Sequence, residues 1–198
     1  DYHIAKYANE ITKAGCNIAR EIADEFTAID PTKPRFVAGS IGPTNKACSI
    51  SPDINNPAVR DISFDEMVHA YKLQMTEMLL CDVDGFLIET IFDTRNAKAA
   101  IYAAEGAMNS IGKRIPLMLS ATIADTGGRT LSGQTLDAFV TSVKHADIFS
   151  IGLNCSFGAK QLKPFIKQLA QTTPYYISVH PNAGLPNSFG QYDQTPEE

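Results

Sequence analysis

The sequence predicts an α/β protein of the (β/α)8 barrel type, and three observations lead to this fold class. Five short apolar runs alternate along the 198 residues with segments whose apolar residues recur at helical spacing. Most of the runs are continuously apolar, which is typical of parallel strands covered on both faces. Every run ends in polar residues. A barrel gathers the carboxyl ends of all its strands at one face, whereas an open doubly wound sheet gathers function at one switch point.

The predicted elements follow in order along the chain. The predicted strands are residues 35–42, 83–91, 116–123, 147–154 and 175–179. The predicted helices are residues 1–28, 94–110 and 134–145, with a further helix after Ser63 and another around residues 162–169. Ser63 and Glu66 form the pattern of a capping box, and Asp93 is placed to cap the third helix. The polar segment 43–62 has no periodicity, and its length predicts a functional loop.

Composition and charge exclude several classes of protein. The formal net charge is −5, which argues against a nucleic-acid partner because phosphate binding needs clustered Lys and Arg. No apolar run approaches the roughly 20 residues that span a bilayer, and no export signal precedes the first helix, so no membrane partner is expected. The four cysteines contain no C-x-x-C motif, which indicates reduced thiols and a cytoplasmic location.

The polar strand ends supply the candidate site residues. Glu89 follows an apolar strand, where a carboxylate is costly unless it is paired or hydrogen-bonded. It either forms a salt bridge with a Lys or Arg at the barrel face or provides the counter-charge for a cationic group, such as the ammonium of an amino acid. Ser120 and Thr122 end the third strand and are expected to line the same pocket.

Cys155, in the stretch IGLNCSFG, allows three interpretations from the residues alone. It is a buried packing thiol, a nucleophile that uses His180 as its base, or a metal ligand. A metal site needs two or three further donors, and the sequence shows no obvious set of thiolates to supply them. Composition does not choose among these interpretations.

Six motifs, in order and at compatible spacing over nearly the whole chain, resemble the homocysteine-binding module of cobalamin-dependent methionine synthase, within the homocysteine S-methyltransferase family. They are GPTN (42–45), SISPDINNP (49–57), ETIFDTRNAKAA (89–100), GRTLSGQT (128–135), GLNC (152–155) and HPNAGLPNSFGQYD (180–193). The resemblance implies a partial (β/α)8 barrel that holds barrel strands three to seven. Residues 1–198 would then be one incomplete domain without the first two strands and the last strand and helix.

The resemblance also implies roles for individual residues. Cys155 is the catalytic cysteine and a zinc ligand, and Asn182 completes the zinc coordination when homocysteine is absent. Glu89 binds the substrate ammonium, with Ser120 and Thr122 beside it in the substrate pocket. The family takes two further zinc thiolates from an adjacent Cys-Cys pair, which this sequence lacks.

The implied function is a methyltransferase that makes methionine. Zinc holds the homocysteine sulfur as a thiolate, which attacks the methyl group of methylcobalamin, and methyltetrahydrofolate recharges the cobalamin; other modules of the parent protein bind both cofactors. The 198 residues alone are expected to be inactive. The alternatives are a betaine- or S-methylmethionine-dependent homocysteine methyltransferase, and a non-catalytic domain in which Glu89 and the 43–62 loop bind an amino acid.

Overall fold

The sheet determines where the candidate residues lie. The computed structural model describes residues 3–195 and residue 197. It contains strands β1 (Ala38–Ile41), β2 (Gly85–Ile91), β3 (Leu117–Ala121), β4 (Ser150–Gly158) and β5 (Tyr176–Asn182). All neighbours pair in parallel, in the order β1-β2-β3-β4-β5. Each strand lies beside the next one in the chain, which is the strand order of a (β/α)8 barrel and not of a doubly wound sheet. The predicted α/β class and barrel type are therefore confirmed.

In the described residues one helix precedes the first strand and four connect consecutive strands, and two of these four begin at the predicted caps. The helices are α1 (Ala8–Ile29), which follows a 3-10 turn at Ala5–Tyr7, α2 (Phe64–Leu80), α3 (Thr94–Ile111), α4 (Leu136–Val143) and α5 (Ala159–Thr172). The capping box of Ser63 and Glu66 is confirmed, and Asp93 accepts from the Arg95 amide at the start of α3. Residues 1 and 2 of the first predicted helix lie outside the described residues.

The core lies between the sheet and the helices, and small side chains in α3 allow close packing. Phe86, Leu119 and Ile151 on the strands are fully buried. α3 contributes a row of buried alanines, namely Ala97, Ala99, Ala100, Ala103, Ala104 and Ala107. α3 packs against both α2 and β2. The alanines let the helix approach these neighbours on two sides, which fixes the position of β2 and of the polar residues at its end.

Two strands extend farther than the sequence predicted, and this changes where the site residues lie. β4 was predicted to end at Asn154 and β5 at residue 179, but they end at Gly158 and Asn182. Cys155 therefore lies within β4, and Asn182 is the last residue of β5. The prediction stopped each strand at its first polar residues, whereas pairing resumes after a register shift between Asn154 and Gly158.

The apolar face predicted for α1 is exposed to solvent. Ile4, Ile11, Ile18, Ile22 and Phe26 are between 46% and 65% exposed. A contiguous apolar stripe of this kind is typical of a surface that another protein segment covers.

Within the described part of the chain, no helix combines the length and the hydropathy needed to cross a bilayer.

Candidate functional site

Parallel pairing places the predicted site residues at one edge of the sheet. Ser120 on β3 aligns with Gly152 on β4, and farther along β4 Gly158 aligns with Asn182 on β5. Glu89 lies near the carboxyl end of β2, and Cys155 lies beyond Gly152 on β4. All these residues thus belong to the carboxyl ends of adjacent strands, where barrel enzymes build their sites.

The backbone of this edge is irregular at two strands. Thr90 on β2 has φ of 56°, and Cys155 and Ser156 on β4 have φ of 59° and 64°. These are left-handed conformations that residues with a Cβ rarely adopt, and Thr90 is also β-branched. Register shifts accompany both segments, between Ile88 and Ile91 and between Asn154 and Gly158. Local strain of this kind persists only where surrounding contacts hold it, and it concentrates at functional sites.

Cys155 is the accessible thiol of the chain. Cys16 and Cys48 are buried, and burial raises the pKa of both thiols, whereas Cys155 is exposed. Its Sγ accepts a hydrogen bond from Asn154 Nδ2 at 3.1 Å. The interpretation of Cys155 as a buried packing thiol is therefore wrong. Among the described residues no hydrogen bond joins Cys155 to His180, and the nucleophile interpretation stays a prediction.

Glu89 is half-buried and has no cationic partner in the described part of the chain. The ion pairs of that part involve other residues throughout. Its carboxylate accepts a hydrogen bond from the Ser40 hydroxyl on β1. One neutral donor leaves the negative charge uncompensated. The salt bridge thus has no partner within the described residues, and the counter-charge role stays a prediction.

Ser120 and Thr122 hold the end of β4 through hydrogen bonds. Ser120 is fully buried, and its hydroxyl donates to Asn154 Oδ1 at 2.7 Å. The Thr122 and Ser156 hydroxyls share a hydrogen bond of 2.6 Å. The contacts of these two residues with substrate stay predictions, and what the structure adds is their part in shaping the strand beside Cys155.

Sequence reasoning assigned no role to Asn154, which lies between Leu153 and Cys155. Its side chain is 4% exposed and makes hydrogen bonds with residues of three strands. A signal was available, because a polar side chain in a continuously apolar strand must find hydrogen-bond partners when buried. Asn154 needs hydrogen-bond partners for the same reason as Glu89, since both are polar side chains in apolar strands.

The long 43–62 loop is tied to the start of α3. The Asp93 carboxylate, fully buried, accepts from the Ser49 amide at 2.9 Å and from the Ser49 hydroxyl at 2.8 Å. The Asn96 side chain accepts from the Cys48 amide and donates to the Lys46 carbonyl, at 2.8 and 2.9 Å. The loop is therefore held beside the end of β2, next to Glu89.

Asp93→Ala should destabilise the protein well beyond the loss of a helix cap. A cap contributes about 1 kcal/mol, and the two part-buried hydrogen bonds that Ser49 donates contribute roughly 0.5–1.5 kcal/mol each, so we expect a loss of about 2–4 kcal/mol in urea unfolding. Thr135→Ala is the matched control, since Thr135 caps α4 through the Ala138 amide alone and should cost about 1 kcal/mol. Equal losses in the two variants would contradict the anchoring role of Asp93.

The described residues do not form a complete metal site. Within residues 3–195 and 197, no three His, Cys, Asp or Glu side chains come together in a way that could hold a metal ion. Cys155 contributes an exposed sulfur with an N–H donor beside it, which suits a thiolate ligand. Catalytic zinc takes three protein ligands, so Cys155 and Asn182 alone would not complete such a set, and their role as ligands stays a prediction.

Comparison with known proteins gives a family and a fold. The family model described as homocysteine S-methyltransferase matches residues 1–198. The homocysteine methyltransferase MmuM from Escherichia coli is similar in structure. Its apo form matches with a TM-score of 0.71 at 17% identity over 89% of this chain and 60% of that chain. Its metallated form gives 0.68 at 18% identity over 89% and 59%. At these identities the likeness shows the fold, and the chain spans about 60% of the length of MmuM.

Proposed function

This chain belongs to the homocysteine S-methyltransferase family, and on that premise we propose that it is the homocysteine-binding part of a methionine synthase. The observation that supports the proposal is that Glu89 and Cys155 lie at the same edge of one sheet, on β2 and β4. Within the described residues the Glu89 carboxylate has no cationic partner, and the Cys155 thiol is exposed. Homocysteine carries an ammonium group, which suits Glu89, and a sulfur that could share a metal ion with Cys155.

Zinc is the cofactor that the proposal assigns to this edge. Cys155 would hold it as a thiolate and Asn182 through its amide oxygen, with the remaining thiolates coming from residues beyond this chain. When bound, zinc removes the proton of the homocysteine thiol and keeps the sulfur as a nucleophile at neutral pH. The part of Glu89 is to orient the amino acid by its ammonium, with Ser120 and Thr122 supporting the pocket. The sulfur of the oriented amino acid would then be placed to take the methyl group, with the demethylated donor leaving with the bonding electron pair.

The proposed donor is methylcobalamin, presented by another module of the parent protein and recharged from methyltetrahydrofolate. The runs SPD, DTRNAKAA and NAGLPN support this branch of the family over the betaine- and S-methylmethionine-dependent enzymes. Assaying the full-length protein with each of the three donors decides the branch. Methionine formed from betaine or S-methylmethionine, and not from methylcobalamin, would contradict the proposed donor.

We also propose that residues 1–198 form one incomplete barrel domain that acts in the cytoplasm. In the described sheet β1 and β5 each lack a neighbour on one side, and the apolar stripe of α1 is uncovered. Further strands and helices of the parent protein would complete both. The four cysteines are unpaired, which is usual in a reducing compartment.

Glu89→Gln tests the proposed function. The glutamine keeps an oxygen that can accept from Ser40 and removes only the charge. Loss of a hydrogen bond between charged groups costs about 1.5–3 kcal/mol, so the homocysteine KM of the full-length protein should rise roughly 10- to 100-fold while zinc stays bound. Calorimetric titration should show homocysteine binding by the unmodified protein only when zinc is present.

Glu105→Gln is the matched control for charge. Glu105 on α3 forms an ion pair with Arg114, which follows that helix, and both lie toward the opposite edge of the sheet. The homocysteine KM of this variant should therefore not change. An unchanged KM in Glu89→Gln would exclude the ammonium role. Homocysteine binding that does not depend on zinc would instead favour a non-catalytic binding domain and contradict the enzyme.

A further inference from the structure

The Asn154 side chain uses both of its polar atoms inside the protein. Oδ1 accepts from the Thr90 amide at 3.0 Å and from the Ser120 hydroxyl at 2.7 Å. Nδ2 donates to Thr90 Oγ1 at 2.8 Å and to Cys155 Sγ at 3.1 Å. The Thr90 amide can only donate, so the oxygen of the carboxamide must face it. The nitrogen is thereby directed to the threonine hydroxyl and the sulfur.

These bonds hold the two strained segments of the edge. Thr90 on β2 and Cys155 on β4 both have positive φ, and each lies in a register shift of its strand. Strained backbone relaxes unless its surroundings oppose the relaxation. The Asn154 side chain makes hydrogen bonds with both segments, and Ser120 on β3, between them, donates to it.

The connection joins the two ends of the proposed substrate site. The Thr90 amide belongs to the peptide bond that follows Glu89, and Cys155 directly follows Asn154 in the chain. We propose that Asn154 is a positioning residue, whose carboxamide sets the location of the Cys155 sulfur relative to Glu89. This inference rests on the proposed function for the identity of the ligand. Asn154 itself touches neither substrate nor metal in this role.

A purely structural role would also leave Asn154 buried and bonded, so the test must separate folding from positioning. Asn154→Ala removes all four hydrogen bonds. Asn154→Asp has the same shape and keeps an acceptor for Thr90 and Ser120, but it has no N–H for the sulfur. Asn96→Ala is the matched control, because Asn96 is another buried carboxamide that bridges two segments, away from Cys155.

The first measurement is hydrogen–deuterium exchange of the full-length protein without metal or ligand, read on peptides covering residues 86–92 and 150–158. Asn154→Ala should raise exchange in both peptides at least about tenfold, because local opening governs exchange. Exchange in residues 117–121 should change no more than it does in Asn96→Ala. Asn154→Asp preserves the shape of the side chain and serves as the second variant if Asn154→Ala does not fold. It should raise exchange in residues 150–158. Unchanged exchange in these peptides overturns the inference.

The second measurement is titration of homocysteine into the zinc-loaded protein. At equal zinc content, both Asn154 variants should bind homocysteine at least about tenfold more weakly, as expected when an outer hydrogen bond that orients a metal ligand is lost. If the variants show raised exchange but bind homocysteine about as tightly as the unmodified protein, Asn154 serves folding alone. That result would overturn the positioning role. If the unmodified protein binds no homocysteine, the proposed function fails, and exchange alone decides whether Asn154 holds the two strands.

Discussion

Gly152→Ala should prevent the chain from forming its native sheet. Gly152 lies on β4, and a Cβ built on it would lie 2.7 Å from the carbonyl carbon of Ser178 on β5, with the Ser178 carbonyl oxygen and hydroxyl still closer. Real Cβ atoms do not come that near to backbone atoms, so the two strands would have to separate. We expect a loss of more than about 3 kcal/mol, which is a large part of the stability of an ordinary domain.

Urea unfolding followed by circular dichroism measures this loss, and Gly15→Ala is its control. Gly15 lies on the exposed side of α1 with no atom within 4 Å of a built Cβ. Its replacement should stabilise the protein by about 0.5–1 kcal/mol, the usual gain of alanine over glycine in a helix. Adding Ser178→Ala to Gly152→Ala should not restore stability, since the closest atom is a backbone oxygen that every residue carries. A loss below about 1 kcal/mol would contradict the packing of β4 on β5.

The elements that the sequence predicted well are those determined by neighbours in the chain. The capping box of Ser63 and Glu66 and the cap at Asp93 need only residues within one helical turn. The parallel pairing of the strands also followed from local patterns, because continuous apolar runs between helices are typical of parallel strands. The shape of the site did not follow in this way. Thr90 and Cys155 both have a left-handed backbone. Asn154 holds Thr90 from across the sheet, and no local pattern encodes that contact.

The same distinction explains what the sequence left open about individual side chains. Whether Glu89 pairs with a cation depends on which Lys and Arg residues the fold brings near it, and in the described residues none does. Whether Cys155 is buried depends on the bulge after Asn154, which brings the thiol to the surface. Both answers depend on which segments the fold brings together, and local sequence patterns do not contain that information.

Replacing Cys155 should have the largest effect on the chemistry of the site. In the full-length protein, Cys155→Ser should weaken zinc binding by more than about 100-fold, because changes to groups that merely orient a metal ligand already cost 10- to 100-fold. The serine oxygen is smaller than sulfur and is not a thiolate, and it can still accept a hydrogen bond from Asn154. The fold around position 155 should therefore persist while the metal is lost. Competition with a chelator measures the zinc affinity.

Two comparisons make the zinc result specific to Cys155. Cys81→Ser changes a half-buried thiol at the end of α2 and should leave zinc affinity unchanged. Residues 1–198 alone should bind zinc weakly and show no turnover, because the described residues bring together too few ligands. Zinc retained in full by Cys155→Ser would remove Cys155 from the metal site and with it the proposed mechanism. Because the serine variant leaves the Asn154 hydrogen bonds possible, loss of zinc there cannot be attributed to collapse of the strand ends.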